Sequence, residues 1–203
     1  MNAGATSDRI YEHIRFLLTQ PHVRPGLRLD PKTIAKELDA SATPVREALN
    51  RLIGEGLVET LVPGGFFVMS LEEPALRDLY SWSRTLLNLS LRSGTLAGRD
   101  PAGLANGENY ADRVASLFTA VAHSAHNSQY RIAMRRLNAN LHGIRHIESE
   151  LFPDVDSELE ELITAFTAVP GKPFGTILKA YHQRRHRSAF DLVRRWRRFK
   201  PYE

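Results

Sequence analysis

Twice within a short span the chain sets a helix-capping residue directly before a proline, at Asp30-Pro31 and again at Thr43-Pro44. Proline fits the first turn of a helix, where its missing N–H would be unpaired anyway, and a preceding Asp or Thr can accept from the next free amides. Two helices started so close together must be short, and the Asp39-Ala40 turn between them forces a sharp change of direction. The spacing predicts a helix over 31–38 and another from Thr43, whose Val45, Ala48, Leu49 and Leu52 follow at i, i+3, i+4 and i+7 on one apolar face. Its other face presents Thr43, Arg46, Glu47 and Asn50, and Gly54 and Gly56 are expected to stop it.

An earlier helix is expected from an N-cap at Ser7, through Ile10, Ile14, Leu17 and Leu18, to Pro21. Downstream, 57–62 and 66–69 are rich in β-branched and aromatic residues and are joined by Pro63-Gly64-Gly65, which predicts a hairpin. Three short helices followed by a hairpin are the winged helix-turn-helix arrangement.

The run Pro25-Gly26-Leu27-Arg28-Leu29, then Ile34-Ala35 and Leu38, Ser41-Ala42-Thr43-Pro44-Val45-Arg46-Glu47-Ala48-Leu49, Leu52, Glu55-Gly56-Leu57-Val58 and Gly65-Phe66-Phe67-Val68 resembles the DNA-binding domain of the GntR family of bacterial transcription regulators. The likeness covers most of residues 9 to 69. A recognition helix buries one face and offers its N-terminal residues to base edges in the major groove. Arg46 can fork to the O6 and N7 of guanine, a contact worth about 1–3 kcal/mol of discrimination; the alternative is a surface arginine paired with Glu47 or Glu55. Thr43 serves as cap, phosphate contact or both, and Asn50 lies on the same face. The resemblance also implies phosphate contacts from Lys32 and Ser41, and entry of the Gly64-Gly65 tip into the adjacent minor groove. Relatives usually carry arginine at the positions of Ala42 and Gly64. Their loss implies fewer phosphate contacts and a shallower dependence of binding on salt.

Net charge gives no such direction. The chain carries +4 overall, yet residues 1–70 hold eight basic and eight acidic side chains. The basic surplus lies between Lys179 and Lys200, and acids crowd into Glu150 to Glu161. That basic run is either a solvated face paired with the acidic helix or a second contact to flanking DNA. Absence of cysteine excludes a disulfide scaffold and thiolate zinc sites. The start, Met1 to Arg9, predicts no leader segment, and no apolar run approaches a membrane span, so a cytoplasmic protein without membrane contact is expected.

Residues 71–203 read as helices throughout, roughly over 74–96, 109–125, 128–151, 157–168 and 174–199, the last with Ser188 as a candidate break. Between them fall a Gly/Pro/Asn-rich break at 98–107 and a Pro170-Gly171-Lys172-Pro173 loop. The expected fold is therefore mainly α: an N-terminal winged helix-turn-helix over 1–70 and an all-α bundle over 71–203. The order resembles the FadR-like subfamily, whose FCD-type domain binds an effector and dimerises. The likeness rests on residues 79–89, on Leu117-Phe118 through Ala125-His126-Asn127, and on Ala180-Tyr181-His182. It implies a pocket arginine at Arg84. In many members an aspartate and three histidines bind a divalent metal, and those positions fall here at Ala115, Thr119, Leu159 and His182. One imidazole cannot hold such an ion, so no cofactor is expected. The pairs His123/His126, His142/His146 and His182/His186 leave a relocated site as the alternative.

Arg135, Asn138, His142 and His146 recur along one helical stripe, flanked by Arg131 and Arg136, and read either as the lining of an acid-binding pocket or as a solvated face. With Arg84 and His182 they form the candidate effector set. No Gly-rich phosphate loop or nucleophile elbow occurs, so no catalytic residues and no enzyme are expected. The resemblance implies a homodimeric, ligand-responsive regulator, a repressor, on a pseudo-palindromic operator, with a small organic acid or acyl effector. The competing reading is a constitutive DNA-binding or interaction module whose sensor no longer recognises a ligand.

Overall fold

The computed structural model describes residues 3–20, 23–61, 64–93, 107–167 and 174–198. Two compact units result, one of residues 1–71 with 196–203, the other of residues 72–195. Parts of the expected breaks and loops, at residues 94–106 and 168–173, lie outside the described residues, as do Val62 and Pro63 of the hairpin.

The first unit runs α1 (Ala3–Leu18), β1 (Arg28–Leu29), α2 (Pro31–Glu37), α3 (Ala42–Glu55), β2 (Val58–Thr60) and β3 (Phe66–Val68). Its core gathers Ile10 and Ile14 of α1, Ala35 of α2, and Val45, Ala48, Leu49 and Leu52 of α3, all buried, with Val58 and Val68 closing it from the sheet. Asp30 caps α2 as its sequence predicts, accepting from the amides of Lys32 and Thr33 at 3.3 Å each. Helix α1 starts at Ala3, so Ser7 lies inside it rather than at its cap.

Helix α3 begins earlier than the Thr43-Pro44 signal suggests. Ser41 holds the N-cap position, with φ −85° and ψ 159°, and Thr43 lies in the first turn. A proline is tolerated anywhere in that turn, so it marks the turn without fixing its first residue. At the other end only one of the two glycines acts as a stop. Gly56 takes the left-handed conformation at φ 77° and turns its N–H back on the α3 carbonyls, whereas Gly54 continues the helix.

The sheet contains a strand that no sequence pattern announced. Order is β1-β3-β2, antiparallel, with Arg28 opposite Phe67 and Val58 opposite Val68. A two-residue strand is too short to show alternation, and its pairing is set by β3 across the chain.

The second unit comprises α4 (Glu73–Ser93), α5 (Tyr110–His123), α6 (Ser128–Leu151), α7 (Val155–Thr167), α8 (Phe174–Arg187) and most of α9 (Ala189–Arg198), with Ser188 at the break. Leu86 and Leu87, Val114, Leu117 and Phe118, Met134, Leu159, Leu162 and Phe166, and Leu178 and Tyr181 form one apolar core. Helix α4 is buried along one side only. Its inward stripe is Leu76, Tyr80, Ser83, Leu87 and Ser90, while Trp82 and Leu89 face outward.

A polar knot sits inside that core. Glu148 of α6 is fully buried and accepts from Tyr80 Oη of α4 (2.6 Å), Tyr110 Oη of α5 (2.9 Å) and Arg185 Nε of α8 (2.7 Å). Arg185 is buried too and reaches Glu158 of α7 at 2.6 Å. Five helices thus converge on one ion pair whose removal from water is compensated by a full set of partners.

Candidate functional site

Of the residues expected to meet DNA, those on or beside α2 and α3 lie on the exposed surface of the first unit. Lys32 on α2, and Ser41, Thr43, Arg46 and Asn50 on or just before α3, are all exposed. This follows from α3 itself, because burial of Val45, Ala48, Leu49 and Leu52 turns the intervening positions outward. Arg46 has no ion-pair partner among the described residues. Glu55, one of the acids that could have neutralised it, is held by Tyr11 Oη at 2.5 Å and lies 3.6 Å from Arg15.

Ser41 makes no side-chain cap bond. A capping hydroxyl accepts from the second or third amide of the helix, and the third here is Pro44, which has none. The start of α3 therefore keeps free donor groups at the positive end of its dipole, next to two uncommitted hydroxyls. Gly64 and Gly65 stand at φ 126° and 123° beside β3, Gly64 exposed and Gly65 partly so.

In the second unit the expected effector residues separate. Arg135, Arg131 and Arg136 are exposed, so α6 turns those guanidiniums away from the core. Asn138 is buried, and its amide donates to the Ala115 carbonyl (3.0 Å) and to Thr119 Oγ1 (2.9 Å) on α5. His142 Nε2 lies 3.6 Å from Asp112 Oδ1, and its ring meets His146 edge-on at 5.0 Å. His146 is held below the ordinary histidine range by burial, and its Nε2 has no hydrogen-bond partner.

The inward arginine of α6 is one that sequence reasoning missed. Arg145 is 1% exposed, its Nη1 donates to Asn138 Oδ1 at 3.0 Å, and its guanidinium carbon stands 5.4 Å from the Phe118 ring centre. Counting the stripe in steps of four, 138, 142, 146, passed over the i+7 position that shares the same face.

His182 of α8 is buried. Its Nδ1 meets the Leu178 carbonyl at 2.8 Å, so it must donate there, and its Nε2 accepts from Ser83 Oγ at 3.1 Å. Burial, reinforced by the cations Arg185, Arg145 and Arg84, pushes its pKa down to about 3. It lines a cleft of about 290 Å³ with Tyr80, Ser81, Arg84, Gln183, His186 and Arg187. Arg84 also borders a second cleft of about 420 Å³ that contains Arg92 and Lys179.

These residues do not fit the divalent metal of the FadR-like pattern. Both nitrogens of His182 are committed within the protein, the Ala115 and Thr119 positions are tied up by Asn138, and the nearest strong charge is a guanidinium. Nor do the histidine pairs form sites. His126 lies beyond the end of α5, so it does not share a helical face with His123. His186 Nδ1 is engaged by Arg77 at 3.1 Å. Among the described residues no cluster of three or more His, Asp or Glu side chains is arranged to hold a metal ion.

The basic run at the end of the chain is matched in part by the acidic one. Arg184 pairs with Asp154 at 2.5 Å, Arg185 with Glu158, and Arg195 with Glu150 at 3.0 Å. No helix among the described residues is long and apolar enough to cross a membrane.

Comparison with known proteins bears on both units. The model of the family described as bacterial regulatory proteins, gntR family, matches residues 6–68. Over 59 residues the chain is 49% identical to the Nta operon transcriptional regulator of Aminobacter aminovorans, a stretch that covers 29% of this chain and 28% of that protein. A crystal structure of a Rhodococcus sp. RHA1 protein, assigned as a GntR transcriptional regulator, superposes with a TM-score of 0.79 at 21% identity, over 92% of this chain and 98% of that one. Escherichia coli McbR/YncC does so at 0.68 and 19% identity, over 94% and 99%. At these identities the two structures establish a common fold along nearly the whole chain, winged helix and helical bundle alike. Residues 6–68 of this protein are thus similar to the gntR family of bacterial regulatory proteins, and the chain spans less than a third of the length of the curated relative it matches.

Proposed function

We propose that this protein is a cytoplasmic transcription regulator that binds double-stranded operator DNA as a homodimer and is released by a small acidic effector, acting as a repressor. The first unit is the reader. In this reading α3 enters the major groove with Thr43, Arg46 and Asn50 toward the bases, Lys32 and Ser41 meet phosphates, and the Gly64-Gly65 tip approaches the minor groove. The second unit serves as an FCD-type effector and dimerisation domain of the FadR-like kind, with Arg84 and His182 at its cleft. Two identical readers would select a pseudo-palindromic site. An effector shifts occupancy only by binding the two arrangements of the dimer unequally.

The observation that carries this reading is the unpaired, exposed Arg46 in the first turns of a helix whose opposite face is fully buried, inside a segment similar to the gntR family. Selection of bound DNA from a random pool tests it. The wild-type chain is expected to enrich an inverted repeat, and Arg46→Ala to lose preference at one symmetric pair of positions. No enrichment, or an unchanged motif from the variant, overturns it.

A further inference from the structure

We propose that the cleft between α4 and α8 bordered by Arg84, Arg92 and Lys179 is a binding site for a phosphate group, carried by a small phosphomonoester or free in solution. The site is separate from the cleft that His182 lines, with which it shares only Arg84, and its occupancy does not depend on the regulator reading.

The spacing of residues along α4 builds one wall. Arg84, Asn88 and Arg92 follow at i, i+4 and i+8, so they form one row on the helix with a rise of about 6 Å from each to the next. Lys179 of α8 borders the cleft from the other wall, and Gly175, four residues earlier on α8, adds no side chain to narrow it. Between them lies a recess of about 420 Å³, bordered by three cations, an amide and the apolar Leu89, with no acid among its described lining residues. That volume is in the range of small-molecule sites.

The three cations are accessible and uncommitted. Arg84 is half-buried, Arg92 and Lys179 are exposed, and none of them has an ion-pair or hydrogen-bond partner among the described residues. Other arginines of the same unit do find acids: Arg77 meets Glu73 at 2.7 Å, Arg113 meets Asp156 at 3.2 Å and Arg184 meets Asp154. Like charges gathered around one recess repel each other, and an anion that enters turns the repulsion into attraction. The charge count selects the anion. A carboxylate brings one negative charge and two oxygens in a plane, whereas a phosphomonoester carries about −1.5 to −2 at neutral pH and three oxygens in a tetrahedral array, one for each cation. Arginine forks to such oxygens and lysine meets them as a point charge. A concave recess with Leu89 at its border suits the short organic body of a small ligand rather than a run of DNA backbone.

The test titrates the full chain by calorimetry, at neutral pH and fixed ionic strength, with inorganic phosphate and with glycerol 3-phosphate. Sodium acetate and glycerol are the controls for charge and for the organic body. Both phosphates are expected to bind saturably and to shift the side-chain amide resonance of Asn88, and acetate and glycerol to do neither. Equal affinities assign the cleft to the phosphate group alone, and tighter binding of the ester adds a contact to its body; both results support the site. Arg92→Gln and Lys179→Gln, at exposed positions, should each weaken phosphate binding by at least about fivefold. Lys36→Gln, which removes an exposed charge of the first unit, should leave it unchanged. The Asn88 resonance reads the wild type alone, so the outcome does not hinge on the folding of a variant. No saturable binding of either phosphate, an equal response to acetate, affinity unchanged in either cleft variant, or an equal loss in Lys36→Gln each overturn the proposal. So does weaker binding of mixed-sequence DNA by the cleft variants without any binding of phosphate, which would make the cleft a DNA contact. Operator binding, measured separately in phosphate-free buffer, distinguishes failure here from failure of the regulator reading.

Discussion

Under the proposed reading, Lys32 and Arg46 would make two different kinds of contact with DNA. Lys32 stands exposed on α2, away from the first turns of the reading helix, where a charge can meet phosphate without sensing sequence. Lys32→Ala is therefore expected to weaken binding on all sequences alike and to reduce the salt slope by about 0.9 per reader, about 1.8 for the dimer, checked by titrations at several salt concentrations. Arg46→Ala should instead cost about 1–3 kcal/mol per half-site of the preferred operator and little elsewhere, measured by competition between operators. His182 carries a prediction of another kind. Its folded pKa of about 3 lies below the ordinary 6.5, so in that window the unfolded chain binds a proton that the folded chain refuses. Stability must fall as pH is lowered from about 6.5 toward 3, with a maximal contribution of about 1.4 kcal/mol per pH unit. Urea unfolding at about pH 7 and pH 5 should show the wild type losing about 2 kcal/mol more than His182→Gln. At this scale the exposure of Arg46 was legible, because the apolar spacing of α3 fixes which positions turn outward. The burial of Arg145 was not, because it arises from Asn138, Thr119 and Phe118, which meet only when α5 and α6 pack.

Elements were legible where their signal is local. Helix α6 runs over Ser128–Leu151, the span expected from the sequence, and α2 keeps the cap of Asp30. Strand β1 escaped because two residues have no period and its partner lies in β3. The glycines at the end of α3 separate what composition merges. Gly54 is helical, exposed and has open space where a Cβ would stand, so Gly54→Ala should stabilise the first unit by about 0.5 kcal/mol. Gly56 sits at φ 77°, and Gly56→Ala should destabilise it by about 1 kcal/mol. Denaturant midpoints of the two variants, which are expected to move in opposite directions, check both.

For the whole molecule, the placement of charge matters more than its sum. Residues 1–70 are electrically balanced and lack arginine at positions 42 and 64, while Arg184, Arg185 and Arg195 of the basic run pair with acids of their own unit. Few cations remain for phosphate, so the slope of log affinity against log salt should be shallower than about −6 for two readers together. A steeper slope would mean that Arg187, Arg194 or Arg198 also meets DNA. The bundle architecture was legible from helical periodicity, but the buried knot of Glu148 and Arg185 was not. Its members come from distant parts of the chain, and each alone reads as a surface residue.

The uncapped start of α3 has one more consequence. Pro44 removes the amide that Ser41 would have accepted from, so the first turn is fastened less firmly than the rest of the helix. A phosphate oxygen seated there would act as the missing cap, and the nucleic acid would finish folding the element that reads it. The amide of Thr43 should then exchange with deuterium quickly in the free protein and slowly in the complex, even on DNA whose bases Arg46 does not recognise.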